Sequence, residues 1–237
     1  MTRRRSPLYW RLFPHLAAIL VLVLCVRLAL WQVERAGEKQ RLVDQWEAAP
    51  TGALVDFDSV EHFAHVSGRG QFKSQRQVLL DNQTRQNHPG VHVFTPFRLE
   101  NGDTVMVNRG WQPWQRQADQ FPQFATPEGT LQISGRVSEP PRVGFQLGAA
   151  LPLDPDIWPN LMTYYDTDLI ANALDVNLAD RVLLLDPDHP AHLSGDAWPV
   201  VNMGPERHIG YAVQWASIAA AVLLIWLYLS YRNWRRR

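Results

Sequence analysis

The residues best placed to do chemistry lie at the start of the last apolar segment. His208, Tyr211 and Trp215 follow one another at intervals of three and four residues, so they share one face of a helix that begins there. A neutral imidazole at that depth could coordinate the metal of a flat cofactor while the aromatic rings pack on its face. The alternative is a belt of His, Tyr and Trp that only anchors the helix at a membrane surface.

A second cluster, Asn108 to Trp111, follows a predicted strand and ends in a turn before Pro113. Arg109 carries a planar cation that suits carboxylates, so it could bind a carboxylate of a cofactor or an acidic loop of a partner. Gly110 can take a positive φ, and Trp111 can be displayed or buried. In the structural alternative, Arg109 satisfies turn carbonyls and Trp111 lies in the core.

Arg27 and Gln214 are polar residues inside apolar segments, where a polar group is costly unless it has a partner. Both should lie in the outer halves of their helices. We therefore expect a hydrogen bond between them or with a partner subunit. Snorkelling of Arg27 to the membrane interface is the alternative.

The spacing of three histidine pairs invites a metal site: His62 and His65, His88 and His92, His189 and His192. Prolines close to His88 and His189 prevent regular helical geometry there, and clustered cysteines or carboxylates are missing from the pattern. We expect solvated histidines and no metal site at these three pairs; a metal of a bound cofactor could be ligated only at His208.

The formal net charge is zero, but the acidic and basic residues are distributed unevenly along the chain. Residues 1–33 and 209–237 contain no Asp or Glu but hold nine of the 23 Lys and Arg, and the other 14 lie in the centre with all 23 acidic residues, a net charge there of about −9. Basic residues that flank membrane spans stay on the cytoplasmic side. Both termini are therefore predicted to be cytoplasmic and the acidic centre periplasmic, in a bacterial-type inner membrane.

Two apolar segments are long enough to span a membrane. Residues 209–231 carry no charge and, at about 1.5 Å per residue, can cross a hydrocarbon core of about 30 Å. The first apolar segment could instead be a cleaved signal peptide, but it is long and no small-x-small cleavage site follows it. The predicted organisation is a cytoplasmic N-terminus (1–11), a transmembrane helix (12–33), a periplasmic domain (34–208), a second transmembrane helix (209–231) and a cytoplasmic C-terminus (232–237).

The central domain is predicted to be mainly antiparallel β, as a small barrel or a sandwich. Helical composition continues to Pro50, so the first helix should project beyond the bilayer. Short β-type segments then recur between Asn-, Gly- and Pro-bearing turns, at residues 68–72, 77–82, 91–99, 104–111, 131–137 and 181–186. The fold class is therefore α+β, with two transmembrane helices flanking one β domain.

Three further segments of the domain have local predictions. Asn101, Gly102 and Asp103 form the best hairpin turn of the chain, and residues 166–175 predict a short helix with an acidic first turn. Residues 145–160 are predicted to form an irregular loop, and residues 186–208 an extended return to the membrane.

Three sequence blocks occur in a specific order. The first contains Trp31, Gln32, Arg35 and Lys39, as W-Q-x-x-R-x-x-x-K. The second contains Pro89, Gly90, Thr95 and Pro96, followed by Val107, Asn108, Arg109, Gly110 and Trp111. The third contains His208, Tyr211, Ala212, Gln214 and Trp215, as H-x-x-Y-A-x-Q-W. In order and topology these blocks resemble the Surfeit-locus family of cytochrome c oxidase assembly proteins.

The resemblance implies a non-catalytic assembly factor that helps to mature the large haem-bearing subunit of cytochrome c oxidase by receiving or presenting haem a. Its partners would be that subunit, the haem a synthesis machinery and membrane lipid, with haem a bound transiently as the only cofactor. The haem-binding residues would be His208, Tyr211, Trp215 and Arg109. The other motif residues would contact partners: Trp31, Gln32, Arg35, Asn108, Gly110, Trp111 and Gln214.

Other functional classes fit the sequence less well. The motifs G-x-S-x-G and H-E-x-x-H, a P-loop and a dinucleotide fingerprint are absent, so no enzyme is expected. The acidic domain disfavours nucleic acid as a partner. The lone cysteine, Cys25, lies in the first apolar segment, so the domain has neither a disulfide nor a thiolate metal site. The remaining alternative is a membrane-tethered periplasmic ligand-binding or scaffold module without a haem role.

Overall fold

The computed structural model describes residues 8–54, 57, 59–114, 121–141, 148, 150, 152–194 and 196–236, with side chains from Leu12 onward. It divides into one unit of Met1–Gln45 with Pro199–Arg237 and another of Trp46–Trp198. Residues 1–7 and 237 of the predicted cytoplasmic termini lie outside the described residues, as do residues 145–147, 149 and 151 of the predicted loop over 145–160.

The elements follow one another in the order α1 (Leu8–Ala48), β1 (Thr51–Ala53), β2 (His65–Phe72), β3 (Val78–Leu80), β4 (Gly90–Leu99), β5 (Thr104–Pro113), β6 (Leu131–Ser138), β7 (Asn160–Met162), α2 (Thr167–Leu174), β8 (Leu178–Leu185) and α3 (Pro205–Arg235).

The first unit consists of the two long helices, and both are long and apolar enough to cross a membrane. Their apolar side chains face outward: Leu20 is 70% exposed and Leu224 is 66% exposed. Apolar surface of this extent suits a lipid phase. As predicted, α1 continues to Ala48, just before Pro50. The second helix starts earlier than predicted, at Pro205, because extended Gly204 caps it and proline fits the first helical position.

The second unit contains a small closed barrel. Strand β2 pairs with β6 on one side and with β4 on the other, so β2, β6, β8, β5 and β4 form a ring. The predicted hairpin joins β4 to β5 in antiparallel register, with Phe97 opposite Val105. Strand β8 closes the ring by pairing in parallel with β5 and antiparallel to β6. The predicted barrel with a short helix is therefore confirmed.

Alternating side chains divide the packing between the two faces of the barrel. In β5, Val105 and Val107 point into the barrel interior, whereas Met106 points to the outer face. The same alternation in β8 sends Leu183 inward and Val182 outward, as the two-residue period of a strand requires. On the outer face, Ile170 of α2 joins Met106 and Val182 in one buried cluster.

The predicted strands and helix lie where the sequence pattern placed them, and two short strands were not predicted. Strand β1 adds to β2, and β7 adds to β3, both in parallel. Asn160, the last residue of the predicted loop, is the first residue of β7. Within the described part of 186–204 the chain forms no strand or helix, as expected for an extended connection.

Candidate functional site

Residues from two of the three sequence blocks meet in the helical unit. His208 Nδ1 of α3 lies 2.7 Å from Gln32 Oε1 of α1. An amide oxygen only accepts hydrogen bonds, so the imidazole carries a proton on Nδ1 and donates it. The neutral ring of His208 therefore holds its lone pair on Nε2.

That second nitrogen has no hydrogen-bond partner. His208 is 9% exposed, and its Nε2 is buried without a partner among the described residues. Most buried polar atoms in folded proteins are hydrogen-bonded, so an unsatisfied one requires an explanation such as a ligand. A fixed imidazole with a lone pair on the far side is the usual geometry of a metal-ligating histidine.

The other residues predicted for this site are close to His208 or Gln32 in the sequence. Trp215 is half-buried, whereas Tyr211 is exposed. Trp31 is also exposed, and the Arg35 guanidinium lies 5.9 Å from the centre of its ring. Trp31 and Tyr211 therefore expose apolar ring surface close to Gln32 on α1 and to His208 on α3.

The predicted hydrogen bond between Arg27 and Gln214 is not formed. Both side chains are exposed, and none of the described hydrogen bonds joins them. The reason is helical phase: Arg27 precedes Gln32 by five residues and Gln214 follows His208 by six, which at about 100° per residue turns both away from the facing pair. The polar contact between the helices is made by Gln32 and His208 instead.

A second polar pair joins the same helices near their other ends. Trp226 Nε1 donates to His15 Nδ1 at 2.9 Å. An indole N–H cannot accept, so neutral His15 must carry its proton on Nε2. The two histidines therefore present opposite groups at Nε2, a lone pair on His208 and a proton on His15. Sequence patterns did not reveal either pairing, although single polar residues in apolar helices do signal a need for partners.

In the barrel, Arg109 is an interior residue. It is 1% exposed, and its guanidinium donates to Ala191 O (2.9 Å), Phe124 O (3.5 Å) and Ala125 O (2.5 Å). Burial lowers the pKa of Arg109 to about 10, so it stays charged at neutral pH. Three of the five N–H groups of Arg109 are engaged inside the barrel, which favours the structural alternative, with carbonyls of other segments in place of turn carbonyls. Binding of a haem propionate by Arg109 stays a prediction.

Asn108 and Gly110, the neighbours of Arg109 in β5, lie where this strand closely approaches the segment that contains His192. Gly110 has a φ of +111°, and a Cβ on it would lie 2.9 Å from His192 Cε1. Asn108 Oδ1 accepts a hydrogen bond from Gly110 N at 3.1 Å. Only glycine fits this position without strain, so Asn108 and Gly110 act first as structural residues.

Trp111 lies at the surface of the barrel unit and not in the core. It is half-buried, and its indole N–H donates to Gln83 O at 2.7 Å. Its ring lines a cleft of about 430 Å³ together with Arg85, His88, Ser194 and Asp196. A partner can therefore reach Trp111, and partner contact stays a prediction for it.

Several histidines predicted to be solvated are packed instead. His92 stacks on Trp198 with ring centres 5.9 Å apart, and His192 meets the same ring edge-on at 5.4 Å. Burial lowers the pKa of both imidazoles. His65 bonds Asp186 at 2.9 Å. Each of these three histidines contacts a residue outside its own sequence pair. Their role is therefore in packing.

Comparisons with known proteins match most of the chain. A model of the SURF1 family matches residues 19–220, which include all three sequence blocks. A SURF1-like protein of Monosiga brevicollis is 27% identical over 99% of this chain and 92% of its own length. SURF1-like proteins of Drosophila melanogaster (23% identical, 95% of this chain and 85% of the relative) and Rickettsia felis (22%, 92% and 96%) are also similar. The resemblance to the Surfeit-locus family is thereby confirmed.

Proposed function

The chain belongs to the SURF1 family, which is known in general for cytochrome c oxidase assembly, and we propose that this protein is such an assembly factor and holds haem a for the large haem-bearing subunit. We expect it to act without catalysis. It would receive haem a from the synthesis machinery and present it to the subunit. Trp31, Arg35 and Trp111, which are exposed or line a cleft, are the residues we propose for partner contact.

The buried, unpartnered Nε2 of His208 is the observation that supports haem binding most strongly. Gln32 accepts from Nδ1 and so fixes both the tautomer and the orientation of the ring. Haem a would supply an iron that the neutral imidazole of His208 could ligate and a broad apolar ring. Tyr211 and Trp215, one turn and two turns along α3, would pack against that face.

Haem titration of the purified full chain tests this proposal. We expect wild-type protein to bind haem with a shifted Soret band, and His208→Ala to lose the shift. Gln32→Leu removes the acceptor and should weaken binding by about 10–100-fold, whereas Gln32→Glu keeps an acceptor and should retain it. His15→Ala is the matched control, because His15 presents a protonated Nε2, and it should behave as wild type.

Identical spectra and affinities for wild type and His208→Ala would rule out ligation by this residue. The tethered periplasmic ligand-binding or scaffold module would then be the better account of the chain.

We also propose that the protein crosses a bacterial-type inner membrane twice, with both termini in the cytoplasm and the barrel in the periplasm. The two apolar helices and the arginines outside them support this orientation. In a Cys25→Ser background, an impermeant maleimide should label Ile157→Cys in intact spheroplasts and Trp234→Cys only after permeabilisation. Both native residues are exposed, at 62% and 71%. The opposite labelling pattern would reverse the orientation.

A further inference from the structure

A groove of about 760 Å³ separates the two long helices near the His15–Trp226 pair. Its residues change character along α3. Apolar side chains come first and polar ones follow towards the end of the helix: Val222, Ile225 and Leu229, then Ser230, Arg232 and Asn233. The groove therefore has an apolar part and a polar, cationic part.

The cation at the polar end has no carboxylate to pair with in the terminal segments. Residues 1–33 and 209–237 contain no Asp or Glu. Among the described ion pairs Arg232 takes no part, and its guanidinium lies 5.8 Å from the centre of the Tyr228 ring. This end of the groove therefore suits an anion from outside the chain.

Beside the apolar part, at the level of Trp226, the groove contains a hydrogen-bond donor. His15 lines the groove, and because its Nδ1 accepts from Trp226 its neutral ring carries the proton on Nε2. A phospholipid combines the groups that match these features: an acyl chain, ester carbonyls that accept a hydrogen bond and a phosphate.

We propose that this groove binds one anionic phospholipid of the inner leaflet, with an acyl chain along Val222 to Leu229 and the phosphate at Arg232. Basic sites between membrane helices on the cytoplasmic side bind anionic headgroups. A helix of a partner protein fits less well, because its apolar side chains would lie against Arg232 and Asn233. Haem binding plays no part in this proposal, which rests on the proposed membrane orientation.

Native mass spectrometry of the full chain, released from nanodiscs of equal phosphatidylglycerol and phosphatidylcholine, tests the site. Wild-type protein should retain one phosphatidylglycerol in preference to phosphatidylcholine by about fivefold, the contribution of one arginine near a membrane surface. Arg232→Gln should lose this preference. Arg235→Gln makes the same change of charge outside the groove and should keep it.

A third variant, Ala18→Trp, fills the groove and should also lose the retained lipid. Equal losses in the Arg232 and Arg235 variants would show that only the general charge of the helix end attracts lipid, which overturns the proposal. Retention of the lipid by Ala18→Trp, or no preference in wild type, would overturn it as well.

Discussion

Two buried polar side chains, Gln77 and Arg109, hold the segment around Phe124 against the barrel. The Gln77 amide accepts from Phe124 N at 3.0 Å and donates to Phe124 O at 2.5 Å. Arg109 donates to Phe124 O and Ala125 O, and it also reaches Ala191 O. Backbone groups that form no strand ladder there are satisfied by side chains instead, which makes both residues important for stability.

We predict that Arg109→Met lowers the free energy of unfolding by about 2–4 kcal/mol, because Ala191 O and Ala125 O lose their donor and Phe124 O keeps only the Gln77 amide. Denaturant unfolding of the full chain in detergent, followed by tryptophan fluorescence, measures this loss. Arg69→Met is the control, since exposed Arg69 makes only a 3.7 Å ion pair with Glu100 and its loss should matter by less than about 0.5 kcal/mol. Equal effects of the two substitutions would disprove the role given to Arg109.

Burial of His92 and His192 predicts a pH dependence of stability. Their pKa values are lowered in the folded chain and return to about 6.5 on unfolding, so below that value the unfolded chain binds more protons than the folded one. The contribution is fully present above about pH 6.5 and is lost as the pH falls through that value towards the lowered pKa.

The free energy of unfolding should therefore decrease between about pH 7.5 and about pH 5. His92→Gln should show a smaller decrease than wild type, since one of the histidines whose pKa burial lowers is gone. Urea unfolding at several pH values checks this, and an unchanged slope in the variant would contradict it.

At the residue scale, the sequence predicted conformation better than contacts. The positive φ at Gly110 was predicted from the residue type, but the predicted turn before Pro113 is wrong, because Gly110 lies within β5. The environment of Arg109 could not be chosen from the sequence, because its carbonyl partners at Phe124, Ala125 and Ala191 come from segments that only the barrel brings together. Gln77 carried no pattern that marked it as buried.

Residues 46–48, the end of α1 that belongs to the barrel unit, are held against β6 by one arginine. Arg136 of β6 donates to Trp46 O at 2.8 Å and to Phe63 O at 3.1 Å, and its guanidinium lies 4.5 Å from the centre of the Trp46 ring. The last carbonyls of a helix lack partners within the helix, and a cation satisfies both their hydrogen bonds and the helix dipole.

We predict that Arg136→Gln frays the end of α1 and speeds amide exchange of residues 45–48 by about fivefold, the equivalent of one lost hydrogen bond. Hydrogen–deuterium exchange by mass spectrometry measures this. Arg41→Gln removes an exposed arginine that bonds only Gly37 O within α1 and should leave those amides unchanged. Equal amide exchange rates at the end of α1 in the two variants would show that Arg136 does not hold it in place.

Elements with a long periodic pattern or a distinct turn were predictable, and the others were not. The β4–β5 hairpin follows from Asn101, Gly102 and Asp103, and α2 begins after Asp166, which caps it by accepting from Leu169 N at 3.0 Å. Strands β1 and β7 contain three residues each, too few to show alternation. Both pair in parallel, and β7 does so with β3, which is distant along the chain. The facing sides of the two long helices depend on helical phase, which apolar composition does not reveal.

For the whole molecule, charge and hydropathy were enough to predict two helices that flank one β domain. The structure adds that the helices carry a polar pair near each end. His208 and Trp226 lie roughly 27 Å apart along α3 at about 1.5 Å per residue, close to the thickness of a hydrocarbon core. The polar pairs therefore fall near the two proposed membrane interfaces, where polar groups cost least.

Deletion of the gene, with complementation, tests the central claim most directly, and the measured quantity is the haem a band in reduced-minus-oxidised spectra of membranes. We predict that the deletion strain loses the haem a band and oxidase activity while the oxidase subunits are still synthesised, and that the wild-type chain restores both but His208→Ala does not. A haem a band of normal size in the deletion strain, or full restoration by His208→Ala, would contradict the account.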